Sequence, residues 1–232
     1  MYVEHSAQIW RDFPDLAAGA LAVRGISAQV NADSGVAEYT RAAKERLAYG
    51  PESELPEIQA WRRAFARMGL KPTQYRCASE SLLRRLRKEG SLPRLHPLID
   101  LCNAVSAAYA IPVAVFDVDQ ITGHLEIRYA AGDEVYLAFS GETEQPAAGE
   151  VIFRDAADQA HARRWTNRQS ARSAVQSATS AVLIMAEALH ASAAGDVPAL
   201  LAALGKEIEA VWPATTAGAV LTQSAPRFAF EA

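Results

Sequence analysis

Cysteine is scarce in this chain of 232 residues: only Cys77 and Cys102 occur, and neither sits in a CxxC pair or beside paired histidines. That excludes a disulfide framework and leaves no zinc-type spacing, so neither metal nor cofactor is expected. No run of about 18 apolar residues exists, so no membrane span is expected. The opening Met1-Tyr2-Val3-Glu4-His5 lacks a basic region followed by an apolar one. It does not read as a secretory signal, and a cytoplasmic protein is the default. Glycine-rich phosphate loops, HExxH, GxSxG and EF-hand patterns are all missing, which removes the common nucleotide, metalloprotease, esterase and calcium signatures. His96, His124 and His161 each stand alone, and a lone histidine is more often structural than catalytic.

Acidic side chains are missing from two stretches. From Trp61 to Lys88, nine Lys and Arg stand against Glu80 alone, and from His161 to Arg172 there are four Arg and no acid. The remainder carries ten basic against 26 acidic residues, so a net charge of −4 hides a strong asymmetry. If the two segments share a face, a positive patch on an acidic body would attract polyanions. Solvated helix faces would explain the same charges.

What is present is led by Arg163-Arg164-Trp165-Thr166-Asn167-Arg168-Gln169-Ser170. As a strand it would point Arg164, Thr166 and Arg168 one way and Trp165, Asn167 and Gln169 the other, with hydrogen-bonding groups on both faces. It reads either as an edge strand with Trp165 over the core, or as the wall of a polar pocket. The forked donors of such a wall suit a carboxylate, phosphate or carbonyl.

Strands are expected at 2–5 and 17–26, with a short amphipathic turn around Ile9, Trp10 and Phe13 between them. Helices follow over 36–47 and 55–68, the second closed by Gly69, and a third begins with Ser79 as N-cap and runs to Glu89. A fourth spans about 96–109 on the stripe Leu98, Leu101, Val105 and Ala108. The period then changes to a meander of three strands over 112–117, 123–129 and 135–139. Two more strands are expected at 151–154 and 163–169. The segment 173–189 reads equally as helix or buried strand. A helix over 196–211 has Asp196 as N-cap, and the last twenty residues read as a surface-wrapping extension. Helices first and strands afterwards argue for one α+β domain.

Candidate site residues lie at element ends. Tyr75 and Arg76 precede the third helix; Asp117 and Asp119 close the first meander strand; Glu150 follows Gly149. Asp100 and Asn103 sit among Leu98, Ile99, Leu101, Cys102 and Val105, where polar groups must find partners. Caps and turns would account for most of them singly.

Several strings together carry a resemblance. Gly69-Leu70-Lys71-Pro72-Thr73-Gln74-Tyr75-Arg76-Cys77-Ala78-Ser79-Glu80-Ser81-Leu82 resembles a block of freestanding B3/B4-domain proteins. So do Leu98-Ile99-Asp100-Leu101-Cys102-Asn103-Ala104-Val105-Ser106, Phe116-Asp117-Val118-Asp119 with Gly123, and Gly149-Glu150-Val151. Arg164-Trp165-Thr166-Asn167-Arg168-Gln169 completes the set, in order, over roughly residues 5 to 210. Such proteins are similar to the B3/B4 module of the phenylalanyl-tRNA synthetase β chain, which hydrolyses tyrosine wrongly attached to the phenylalanine tRNA. The resemblance implies a three-layer β/β/α fold and a trans-acting aminoacyl-tRNA deacylase, or at least a tRNA-associated binding domain. The chain carries no synthetase catalytic motif, so it is not expected to aminoacylate. Asn167 stands where the family often has a second aromatic.

Hydrolysis of an aminoacyl ester needs an oriented water, donors for the oxyanion and recognition of the α-amino group. Glu150, Arg168 and Asn167 are the candidates for chemistry. Asn103, Asp100, Asp117, Arg164, Trp165, Gln169, Tyr75 and Arg76 are candidates for holding the aminoacyl group. Arg62, Arg63, Arg67, Arg84, Arg85 and Lys88 are candidates for receiving the tRNA. On this reading Glu150, Asn103 and Arg168 open onto one cleft. A non-catalytic RNA-binding module and an amino-acid sensor are the alternatives.

Overall fold

The computed structural model describes residues 1–231. The chain runs β1 (Tyr2–His5), α1 (Ala7–Asp12), β2 (Ala17–Arg24), α2 (Asp33–Leu47), α3 (Pro56–Arg67), α4 (Ala78–Glu89) and α5 (Pro97–Tyr109). It continues through β3 (Val113–Asp117), β4 (His124–Tyr129), β5 (Tyr136–Leu137), β6 (Thr143–Glu144), β7 (Val151–Asp155), β8 (Ala160–Arg163) and β9 (Arg168–Gln169). It ends with β10 (Ala181–Ala188), α6 (Ala193–Val211), β11 (Thr215–Leu221) and β12 (Arg227–Ala229).

These elements form an α+β architecture in three layers. The middle one is a four-stranded sheet in the order β11-β2-β10-β3. Its inner strand β10, Ala-Val-Leu-Ile-Met-Ala-Glu-Ala, is buried at every residue. A run that is apolar but for Glu187 is what a strand covered on both faces needs, so strand wins over 181–188, while 173–180 is neither helix nor strand. Helix α6 covers one face with Val197, Leu200, Leu201, Leu204 and Ile208. It comes close enough that a Cβ on Gly19 would lie 2.6 Å from Leu201 Cδ1 and 2.8 Å from Val197 Cγ1, so any larger residue there would force those side chains of α6 to shift. Each such aliphatic contributes on the order of 2 kcal/mol when withdrawn from water. The second face meets a six-stranded sheet, β12-β1-β4-β7-β8-β9. Phe116 of β3 packs there on Phe153 of β7, with ring centroids 5.4 Å apart.

Several expectations change. The strands over 112–139 exist but form no meander: β3 joins β10, β4 joins β1 and β7, and β5 pairs with β6. A 3₁₀ turn at Val118–Gln120 and Gly123, at φ 73°, carry the chain from one sheet to the other. Cys77, not Ser79, holds the N-cap position of α4; Ser79 Oγ instead donates to Ala110 O at 3.0 Å, tying α4 to the end of α5. Helix α6 begins three residues earlier than expected, after Ser192. Asp196 accepts from the Ser192 hydroxyl (2.6 Å) rather than capping. The last twenty residues, expected as a surface-wrapping extension, supply edge strand β11 to one sheet and β12 to the other. No helix among the described residues is long and apolar enough to cross a membrane.

Candidate functional site

The stretch 163–169 is not one strand. It is a tight reversal between β8 and β9 in which Arg164 and Trp165 take left-handed φ values of 48° and 55°. Each costs on the order of 1 kcal/mol or more for a residue with a Cβ, so the surroundings must hold it. They do so from several directions. Trp165 N donates to Val151 O (2.8 Å), and Thr166 O accepts from Ala78 N (2.8 Å) at the start of α4. Asn167 Nδ2 donates to Arg76 O (2.7 Å), and Gln169 Nε2 donates to Val115 O (2.6 Å) on the edge of β3.

Glu150 is the main anchor. Its two oxygens accept from Arg163 Nε (2.8 Å) and Nη2 (2.9 Å), and Oε1 also accepts from Arg164 N (2.9 Å). Burial alone would raise the Glu150 pKa, but the hydrogen bonds and charge of Arg163, helped by Arg164, more than offset it and hold the carboxyl below its usual value. Beside it, Arg163 and Arg168 lie over the Tyr136 ring, at 5.5 and 5.2 Å, and both reach Glu144.

Inside the reversal the Trp165 indole is buried, edge-on to Trp61 (5.0 Å) and Phe13 (4.8 Å). Its Nε1 donates to Glu187 Oε1 at 3.0 Å, and His5 Nε2 meets the same oxygen at 2.6 Å. Glu187 faces a cavity of about 60 Å³ between the two sheets, walled by Phe153, Met185, Trp165 and three alanines, Ala78, Ala114 and Ala162. Pro112, Val113, Thr166, Asn167, Arg168 and Gln169 complete the lining. Thr166 Oγ1 is buried with no hydrogen-bond partner among the described residues. The arrangement suits a compact ligand with an apolar part and a donor for Glu187.

Of the expected residues, Trp165, Asn167, Arg168 and Gln169 line this cavity. Arg164 stacks over Tyr75 (4.9 Å), and Arg76 lies behind the turn, its guanidinium donating to Thr73 O (2.8 Å). The single cleft does not form as expected. Glu150 supports the turn from behind, and Asn103 and Asp100 sit on α5 outside the cavity lining. Asp100 accepts from Leu95 N (2.7 Å) and pairs with Arg94 (3.2 Å), closing the approach to α5. Asp117 makes a turn, accepting from Asp119 N (3.1 Å) and from the Thr179 hydroxyl (2.6 Å).

The basic segment is less bare than its sequence. Arg62 pairs with Glu80 (2.5 Å), Arg85 with Glu89 (2.8 Å), and Arg84 and Arg87 with Glu52 (3.8 and 2.7 Å). Arg67 lies over Phe13 at 5.1 Å. Arg63 and Lys88 make no ion pair among the described residues. Cys77 and Cys102 are buried, and burial pushes both thiols up to about 12, so neither serves as a nucleophile. No group of three His, Cys, Asp or Glu is set to hold a metal among the described residues.

Sequence reasoning missed Glu187, His5, Tyr136, Glu144 and Arg163. Glu187 had a signal: it is the one charged residue in an eight-residue run of otherwise apolar residues. A buried acid needs donors, and a search for those leads to His5 and Trp165.

Fold and site together define a three-layer α+β module with a small pocket between its sheets. The family model of the B3/4 domain matches residues 60–195, and the chain belongs to that family. The match spans every residue of the cavity lining, while His5 lies outside it. Among curated proteins, the phenylalanine--tRNA ligase beta subunit of Cereibacter sphaeroides is 38% identical over 71 residues, which is 31% of this chain and 9% of that protein. The chain therefore corresponds to a small part of that relative. Among solved structures, an N-terminal fragment of the phenylalanyl-tRNA synthetase beta-subunit from Pyrococcus horikoshii aligns over 52% of this chain and 41% of that one, at TM-score 0.43 and 11% identity.

Proposed function

We propose that this chain is a trans-acting deacylase that removes a wrongly attached amino acid from the acceptor end of a tRNA. The observation that carries the reading is the inter-sheet cavity, in which a buried carboxylate faces an apolar sleeve beneath a rim of donors. Glu187 Oε1 is held by Trp165 and His5, which leaves Oε2 to accept from the substrate's ammonium. Arg168, at the rim and partly exposed, is paired with Glu144 and would turn its remaining donors to the ester carbonyl, and Asn167 adds an amide. Water adds to the ester carbonyl carbon, the C–O bond to the ribose breaks, and the proton the water gives up passes to the departing ribose oxygen. Such an ester is already activated, so a positioned water and stabilised oxyanion suffice without a nucleophilic side chain. Glu150 contributes by fixing the turn that carries these donors. Arg63 and Lys88, which make no ion pair among the described residues, are the cations we assign to tRNA phosphates, and no metal or cofactor takes part in this scheme.

The test is a deacylation screen of the purified chain against a panel of mischarged tRNAs. Hydrolysis lost in Arg168→Ala, with tRNA affinity reduced only modestly, is the expected result, since one phosphate contact among several costs little. Binding without hydrolysis of any member, with protein in excess, replaces the deacylase by a tRNA-binding module. Salt-independent behaviour without tRNA affinity points instead to an amino-acid sensor.

A further inference from the structure

Resting on the deacylase reading, we infer that the pocket accepts aminoacyl groups with the smallest side chains, those of glycine, alanine, serine and cysteine, and rejects aromatic ones. The cavity measures about 60 Å³. By the same measure a single water needs roughly 10–15 Å³ and a cavity that just holds benzene is about 150 Å³. The space therefore takes about four water-sized atoms, which matches an ammonium nitrogen, Cα, Cβ and one more atom. A phenyl or phenol ring exceeds it.

The walls give little. Phe153 on β7 and Met185 on β10 are each 1% exposed, and both belong to strands in the interior of their sheets. Phe153 is backed by Phe116, so it cannot retreat without opening the contact that joins the two sheets. Ala78, Ala114 and Ala162 come from α4, β3 and β8, and they are already short. Even with three alanines in its lining, the pocket measures only about 60 Å³. Glu187 Oε2, the oxygen not held by Trp165 or His5, can accept from the ammonium.

The experiment charges one tRNA body separately with alanine, serine and tyrosine and follows hydrolysis by the full chain. Seryl and alanyl esters are expected to be cleared at least about tenfold faster than tyrosyl, a ratio within reach of steric exclusion. Met185→Ala, which lengthens the cavity, is expected to move the ratio toward tyrosyl. Ala162→Val, which fills the cavity, is expected to slow seryl hydrolysis at least about tenfold while the protein still melts cooperatively. The Ala162 variant decides the matter if the Met185 variant fails to fold. Tyrosyl-tRNA cleared as fast as seryl-tRNA by the unaltered chain overturns the size inference and leaves the deacylase standing. Hydrolysis of none of the three, nor of any other ester in the wider panel, overturns the deacylase itself.

Discussion

Arg163 and Glu150 meet as a two-pronged pair, Nε to Oε1 at 2.8 Å and Nη2 to Oε2 at 2.9 Å, with both side chains less than a tenth exposed. Because Oε1 also accepts from Arg164 N, the pair fixes the backbone just where it turns left-handed. Removing one partner would strand the other charge out of water. Glu150→Ala is therefore expected to lower stability by about 3–5 kcal/mol in urea denaturation, and Glu150→Gln by less, because the amide keeps one acceptor. A loss under about 0.5 kcal/mol would mean that water reaches this pair freely.

Ala110 ends α5 at φ 56°, and its carbonyl accepts from Ser79 Oγ at 3.0 Å with both residues fully buried. Glycine adopts that conformation without strain, so Ala110→Gly is expected to stabilise by about 0.5–1 kcal/mol. Ser79→Ala leaves the carbonyl without its donor and is expected to destabilise by about 1–3 kcal/mol. Thermal melts of the two variants should shift in opposite directions. Shifts of the same sign would refute this account of the α4–α5 contact.

What the sequence revealed follows from how local each signal was. Strands β1 and β2 and helices α2 to α5 carry their own periodicity and stops, such as Gly90 at φ 73° after α4, and they lie near their expected bounds. The reversal at Arg164 and Trp165 had no such signal, because positive φ is normally announced by Gly or Asn. Here a tertiary clamp, Glu150 thirteen and fourteen residues away, imposes it instead. The same distance effect hid the neutralisation of the basic segment. Glu52 lies before the counted window yet folds back onto Arg84 and Arg87. Asn103 and Asp100 looked like pocket residues because their neighbours are apolar, but α5 directs Asp100 to its own N-terminal loop.

Acid should weaken the fold in two stages. His96 caps α5 through Nδ1, accepting from Leu98 N at 3.2 Å, and burial lowers its pKa below 6.5 with Asp100 partly opposing. The unfolded chain then binds a proton that the folded chain resists, so stability is full above about pH 6.5 and falls as pH drops toward the folded value. Below about pH 5 a second decline follows from carboxyls held under their usual values. In Glu150 and Glu52 burial is outweighed by arginine partners, and in Asp155 by His161 and backbone donors. These groups stabilise above their unfolded values and lose that contribution as they protonate. Urea midpoints measured from about pH 7.5 to 5.5 should flatten in His96→Asn, which keeps a capping acceptor without the titration. An unchanged slope in that variant assigns the first stage to another group.

Charge measured by pairing, rather than by count, decides which arginines can serve a polyanion. Arg62 is bound to Glu80, whose side chain is fully buried, and Arg85 is bound to Glu89 one helical turn away. Arg63 has no such partner and borders a hollow with Phe13, Asp15 and Arg67, next to the aromatic packing behind Trp165. A side chain that contacts one phosphate releases about one counterion, so Arg63→Ala should reduce the slope of log affinity for tRNA against log salt by about 0.7–0.9. Arg62→Ala should act differently. It leaves Glu80 buried without its main counter-charge, costing about 3 kcal/mol or more of stability, with little change in the salt slope of the protein that remains folded. Fluorescence anisotropy across a salt series, alongside urea denaturation, separates the two effects. If Arg62→Ala flattens the salt slope and Arg63→Ala does not, ion pairing in the free protein fails as a guide to which cations meet the nucleic acid.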